Sequence, residues 1–83
     1  MKKILVAEDD GDINNMLCDL LSQNGYIHAT AYSGTEAVMM CFVNEKFDLV
    51  LLDLMLPGKT GLDVLLEIRA NSLVPVIAPI YVG

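Results

Sequence analysis

The chain has no tryptophan, three tyrosines and two phenylalanines, so any core it forms must be built from aliphatic side chains. Basic residues are scarce: five Lys and Arg stand against eleven Asp and Glu, for a formal net charge of −6. Phosphate backbones are bound by clustered cations, so this segment is not expected to contact nucleic acid directly. The same acidity repels anionic membrane surfaces and favours a cation or a basic partner. Only two cysteines are present, Cys18 and Cys41, with no C-x-x-C spacing. They read as reduced, partly buried thiols of a cytoplasmic protein, not as a disulfide or a metal pair. Long hydrophobic runs are absent too. After Met1-Lys2-Lys3 only four apolar residues precede Glu8, too few for a signal peptide or a membrane span. The single histidine, His28, has no companion in sequence and reads as an ordinary strand residue. No Ser-His-Asp or Cys-His set is available for nucleophilic catalysis.

What is present is an aliphatic chain of 83 residues, 54% hydrophobic, enough for one small domain. Its centre is Phe47-Asp48-Leu49-Val50-Leu51-Leu52-Asp53-Leu54-Met55-Leu56-Pro57-Gly58. Leu49 to Leu52 has no polar face, as expected of a strand buried on both sides. It ends in a carboxylate, and Pro57-Gly58 supplies a turn. Such a strand lies inside a parallel sheet and delivers Asp53 to the sheet's carboxyl edge, where open α/β sheets bind ligands.

The other elements follow the same logic. Lys3 to Ala7 is an apolar run that meets Glu8-Asp9-Asp10. Ile13, Met16, Leu17, Leu20 and Leu21 then form a helical stripe, with Asp10 or Asp12 as cap and Asn24-Gly25 as its close. Tyr26 to Tyr32 reads as a second strand. Ser33 and Glu36 have capping-box spacing before a helix from about Gly34 to Asn44. That helix is apolar almost all round, which predicts packing beyond the domain's own sheet. The Met39-Met40 pair in it reads as packing. Thr60 and Asp63 cap a helix from Gly61 to Ala70, with Leu62, Leu65, Leu66 and Ile68 expected mostly inward. Leu73 to Ala78 reads as a fourth strand with Pro75 near its start. The order βαβαβαβ implies a parallel sheet, right-handed crossovers and helices on both faces.

Two strands thus end in acids, the first at Glu8-Asp9 and the third at Asp53. If the two strands are neighbours, three carboxylates share one pocket and oppose each other's ionisation. A cation relieves the conflict. Oxygen ligands of this kind suit Mg²⁺ or Mn²⁺, which can hold a phosphoryl group alongside. The bland readings are acids at a helix N-terminus for Glu8 and Asp9, and a turn-capping Asp53. Asp10 and Asp12 read as caps. Lys59 reads as a loop lysine, although it follows the turn near the site.

These residues resemble the receiver domain of two-component response regulators. The resemblance rests on Lys3 to Asp10, Ser33-Gly34-Thr35-Glu36-Ala37, Asp48 to Leu62 and Val74-Pro75-Val76-Ile77, in that order and spacing. It covers Lys3 to about Ala78. It implies a flavodoxin-like doubly wound sheet, incomplete here, with strand order 2-1-3-4 and strands 1 and 3 adjacent. It also implies that Asp53 is the phospho-acceptor, taking its phosphoryl group from a histidine kinase. Asp9 would bind Mg²⁺ directly, Glu8 mainly through water, and Met55 through its backbone carbonyl. The domain would not itself be an enzyme. The Asp53 to Gly58 wording is most like that of receivers fused to winged-helix DNA-binding domains, so DNA would be reached only through a parent's output domain.

The resemblance is incomplete. Residues 1–78 read as a partial receiver and 79–83 as a tail without family match. The family has five βα units, whereas this chain stops after the fourth strand. Ile80 stands in register with the family's phosphate-binding hydroxyl, and the family's lysine after a fifth strand has no counterpart. An apolar fourth strand left at the edge predicts self-association through that strand or the tail. Three functions compete. The first is a phospho-accepting domain. The second is a haloacid-dehalogenase-type phosphatase, disfavoured because Met55 occupies its second Asp position. The third is a chemically silent receiver fragment that only folds and self-associates.

Overall fold

The apolar runs and the helical stripes alternate along the chain, and each forms the element its period dictates. The computed structural model describes residues 2–43, 46–53 and 56–78. The elements are β1 (Lys3–Ala7), α1 (Gly11–Gln23), β2 (Ile27–Ala31), α2 (Gly34–Val43), β3 (Leu49–Leu52), α3 (Gly61–Asn71) and β4 (Val76–Ile77). All pairings are parallel and the strand order is β2-β1-β3-β4. The sheet topology read from the sequence therefore holds. β1 pairs with both β2 and β3, Leu5 lying opposite Ala29 on one side and Val50 on the other. The start of β3 is clipped to β1 by two bonds of 2.7 Å: the Asp48 N–H donates to the Lys3 carbonyl, and the Lys3 N–H donates to the Asp48 carboxylate.

Period-two alternation divides the sheet between two layers. Leu5, Ala7, Val50 and Leu52 point to one face, where they pack with Ala37 and Val38 of α2 and with Val64 and Ile68 of α3. Val6 and Leu51 point to the other, beside Ile13, Met16 and Leu17 of α1. The caps follow the sequence. Asp10 accepts from the Asp12 and Ile13 N–H groups at 2.9 and 3.1 Å. Ser33 Oγ accepts from the Glu36 N–H and Thr60 Oγ1 from the Asp63 N–H, both at 3.1 Å. Glu36 reaches back to the Tyr32 N–H, one residue before the box position. Gly25 closes α1 in the left-handed region at φ 81°.

Three expectations need correction. In α1 the buried side chains are Asn14 and Cys18, whereas Ile13, Met16 and Leu20 are exposed. The helix is turned by roughly a quarter turn from its apolar stripe, at about 100° per residue. In α3 the inward residues are Gly61, Val64 and Ile68, and Leu62 and Leu66 face solvent. The fourth strand is two residues long, not six; Pro75 precedes it and its carbonyl accepts from the Val50 N–H. The apolar outer side of α2 is exposed at Met39, Phe42 and Val43, as the excess of apolar residues there implied.

Candidate functional site

The site is built by two backbone bonds at the carboxyl ends of β1 and β3. The Glu8 N–H donates to the Ala31 carbonyl and the Asp53 N–H to the Ala7 carbonyl, each at 3.0 Å. These bonds extend the ladder one residue past each strand. Glu8, Asp9 and Asp53 are thereby brought to one point, with a carboxylate oxygen of each within 4.8 Å of the others. The crossovers from the adjacent strands β1 and β3, through α1 and α3, leave on opposite faces, so the acids at the ends of these strands stand at the topological switch point of the sheet.

The three carboxylates differ in environment. Glu8 is buried, Asp53 half-buried and Asp9 exposed. Burial pushes the Glu8 carboxyl up to about 7. A hydrogen bond with Asp53 and the charges of Asp53 and Asp9 push the same way, and a backbone hydrogen bond at Asp9 partly opposes them. Glu8 Oε2 is buried and has no hydrogen-bond partner among the described residues. An oxygen in that position costs free energy until a proton or a cation reaches it. A hard divalent cation fits this set: the donors are all oxygen, they converge, and one of them is unsatisfied.

A cavity of about 230 Å³ opens beside the acids, between α1 and the sheet. Val6, Ile13, Met16, Leu17 and Leu51 line it, with Glu8 and Asp53 at its polar end.

The model of the response regulator receiver domain matches residues 4–79. The chain belongs to the response regulator receiver family. This receiver domain is 44% identical over 77 residues to the DNA-binding response regulator MtrA of Mycobacterium leprae, covering 92% of the chain and 33% of that protein. It thus spans about a third of the length of the curated relatives it matches, several of which are named as transcriptional regulatory proteins. Among solved structures, it is similar to the response regulator TrrA of Thermotoga maritima in complex with Mg²⁺ and BeF (TM-score 0.82, 42% identity, covering 87% of this chain and 62% of that one). It is also similar to a chain in the complex of the histidine kinase ThkA with TrrA (TM-score 0.86, 36% identity, covering 100% and 75%).

Of the residues singled out in the sequence, Glu8, Asp9 and Asp53 are brought together in the receiver domain. Met55, Ile80 and the tail 79–83 lie outside the described residues. Lys59 does not stand free: its Nζ pairs with Glu67 at 3.0 Å. His28 lies exposed on β2. Both cysteines are free thiols, and burial raises the pKa of each. No helix among the described residues is long and apolar enough to cross a membrane.

Asn14 was missed. It is fully buried, and its Nδ2 donates to the Glu8 carbonyl at 3.0 Å while its Oδ1 accepts from the Cys18 thiol at 3.3 Å. The amide thus ties α1 to the backbone that carries the first two acids. Asn14 and Asn15 stand side by side between Ile13 and Met16, and nothing in that pattern tells which of the two is buried. Asn14→Ala leaves the Glu8 carbonyl without that donor, and the receiver domain is expected to lose about 1–3 kcal/mol. Urea unfolding checks this; a loss below a few tenths would mean that water replaces the amide at no cost.

Proposed function

We propose that the chain accepts a phosphoryl group on Asp53 from a histidine kinase, with Mg²⁺ bound by the acids around it. The observation that carries this reading is the convergence of Glu8, Asp9 and Asp53 at the switch point, with one buried carboxylate oxygen lacking a partner. An Asp53 oxygen attacks the phosphorus of the donor's phosphohistidine. The P–N bond breaks, the imidazole leaves, and an acyl phosphate forms. Asp9 and Glu8 would hold the metal, Asp9 directly and Glu8 mainly through water, with the Met55 carbonyl as a further ligand. Bound there, the metal offsets the negative charge of the incoming phosphoryl oxygens. Mn²⁺ has the same ligand preference. In this reading the domain is an acceptor and not an enzyme, and it works in the cytoplasm. It reaches DNA only through an output domain of a longer parent. The relatives named as transcriptional regulators, and the solved pairing of TrrA with its kinase, support it. The test is phosphoryl uptake from acetyl phosphate, with Asp53→Asn as control.

One feature favours a second reading, a fold that only self-associates. Lys59 is committed to Glu67, and among the described residues no lysine or hydroxyl lines the cavity beside the acids. Uptake of no phosphoryl group by the folded protein would select it. Self-association is expected under both readings. β4 has a strand neighbour on only one side among the described residues, and Ile77 and Leu73 are 52% and 91% exposed. An apolar edge of this kind pairs with another copy. Light scattering at micromolar concentration should give a mass above the monomer's; a monomeric mass overturns the expectation.

A further inference from the structure

Asp9 lies between two backbone carbonyls, and a single residue of α1 bonds both. The Asn14 Nδ2 donates to the Glu8 carbonyl at 3.0 Å, and the Asn14 backbone N–H donates to the Asp10 carbonyl at 2.9 Å. The second bond is an ordinary helical one that any residue but proline would make. The first depends on the amide side chain. Glu8 is held from its other side as well, where its N–H donates to the Ala31 carbonyl at 3.0 Å. Both backbone polar groups of Glu8 are therefore committed, one to β2 and one to α1. Asn14 has little freedom to turn. It is fully buried, and the Cys18 thiol donates to its Oδ1 at 3.3 Å. With that oxygen engaged by the thiol, the amino side of the amide is the one that faces Glu8. Asp9, in contrast, is exposed. Packing does little to place it, so its position depends on the backbone to either side. Asp53 is placed separately, through the bond from its N–H to Ala7 of β1.

We propose that Asn14 is a positioning residue for the acidic site. A peptide unit is planar, so bonding the Glu8 carbonyl fixes the Glu8–Asp9 peptide and the direction in which the Asp9 side chain leaves it. Asn14 thereby sets how strongly the three acids hold a divalent cation. This inference rests on the cation binding proposed above and deepens it. Residues that orient a metal's ligands without touching the metal commonly alter affinity about 10- to 100-fold when changed. In Asn14→Ala the Glu8–Asp9 peptide is free to turn about the soft torsions on either side of it. Asp9 then loses its fixed direction toward Glu8 and Asp53, while Asp53 keeps its own bond to Ala7.

The experiment compares the unaltered protein with Asn14→Ala and with Val64→Ala. Val64 is fully buried against the other face of the sheet, so its truncation weakens the fold and touches none of the bonds around Glu8. Two quantities are read: the amide nitrogen shift of Asp9 in the metal-free protein, and Mg²⁺ affinity by titration. The Asp9 nitrogen is bonded to the Glu8 carbonyl carbon and reports on that carbonyl's hydrogen bond. In Asn14→Ala this signal should move, and Mg²⁺ affinity should fall about tenfold or more. In Val64→Ala the signal should stay in place and the affinity within about twofold, whatever the loss of melting temperature. Equal losses of affinity in the two variants would mean that Asn14 acts only through stability, and would overturn the proposal. An unmoved Asp9 signal in Asn14→Ala overturns it too. If the unaltered protein binds Mg²⁺ and Asn14→Ala binds it equally well, this proposal alone fails. If the unaltered protein binds no Mg²⁺ at millimolar concentration, the proposed function fails and this proposal with it. Should Asn14→Ala not fold, Asn14→Leu keeps the buried volume without the donor and is read by the same two measurements.

Discussion

Incubated with Mg²⁺ and acetyl phosphate, the protein is expected to gain one phosphoryl group, and Asp53→Asn to gain none. The reason lies in how Asp53 is held. Its backbone is bonded to Ala7, and its carboxylate shares a pocket with Glu8 and Asp9. An amide in place of the carboxylate keeps the shape but is no nucleophile, so labelling should fall by roughly three orders of magnitude or more. Intact mass reads the outcome, and circular dichroism establishes that both proteins are folded. Labelling that survives in Asp53→Asn would move the acceptor to another residue. Labelling absent from both would leave a silent fold.

Stability should fall as the pH rises from 5 to 8 in the absence of metal, and Glu8→Gln should abolish most of that fall. The Glu8 carboxyl is raised from 4.5 to about 7 in the folded state, first by burial and then by Asp53. A raised acid is protonated when folded at pH values where the unfolded chain has already lost the proton. Its contribution is therefore full below 4.5 and gone above about 7. Integrated over that whole shift, the loss is roughly 3 kcal/mol. In Glu8→Gln nothing titrates at this position, so the variant should be the more stable protein at pH 8. Added Mg²⁺ should restore the unaltered protein at pH 8 by binding the folded state alone, and should restore the variant less. Urea midpoints at pH 5 and pH 8, with and without Mg²⁺, check all three statements. A flat profile for the unaltered protein would mean that Glu8 is hydrated and titrates as an ordinary carboxylate.

These two results concern different residues of one site, and they were not equally legible. Asp53 stands out in the sequence because an apolar run with no polar face can only be an interior strand, and its end is then fixed in space. Glu8 and Asp9 stand out only as acids after a strand. Their neighbours could have been solvent. Nothing local says that β1 lies beside β3, since parallel pairing depends on crossovers more than ten residues long. The resemblance to receivers supplied that adjacency, and the register of Val6 opposite Leu51 and Ala7 opposite Leu52 bears it out.

The helices show where pattern reading stops. Apolar residues in α1 form a stripe through Ile13, Met16 and Leu20, yet the helix buries Asn14 and Cys18. A stripe says which face dislikes water. It does not say which face the sheet receives when a buried amide has a carbonyl to bond. The hydrogen bond from Asn14 to Glu8 fixes the rotation, and the stripe is left flanking the cavity beside the acids. In α3, Val64 and Ile68 face the core while Leu62 and Leu66 do not, because Gly61, Val64 and Ile68 share the side turned to β3 and α2.

Element order, strand polarity, the three principal caps and the identity of the first acid follow from local chemistry: side-chain period, turn residues and the spacing of oxygen acceptors ahead of free N–H groups. The closeness of three carboxylates, the raised Glu8 and the role of Asn14 are set by packing between segments distant in the chain. Such contacts depend on helix rotation and loop position, which respond to the whole fold and leave no local mark.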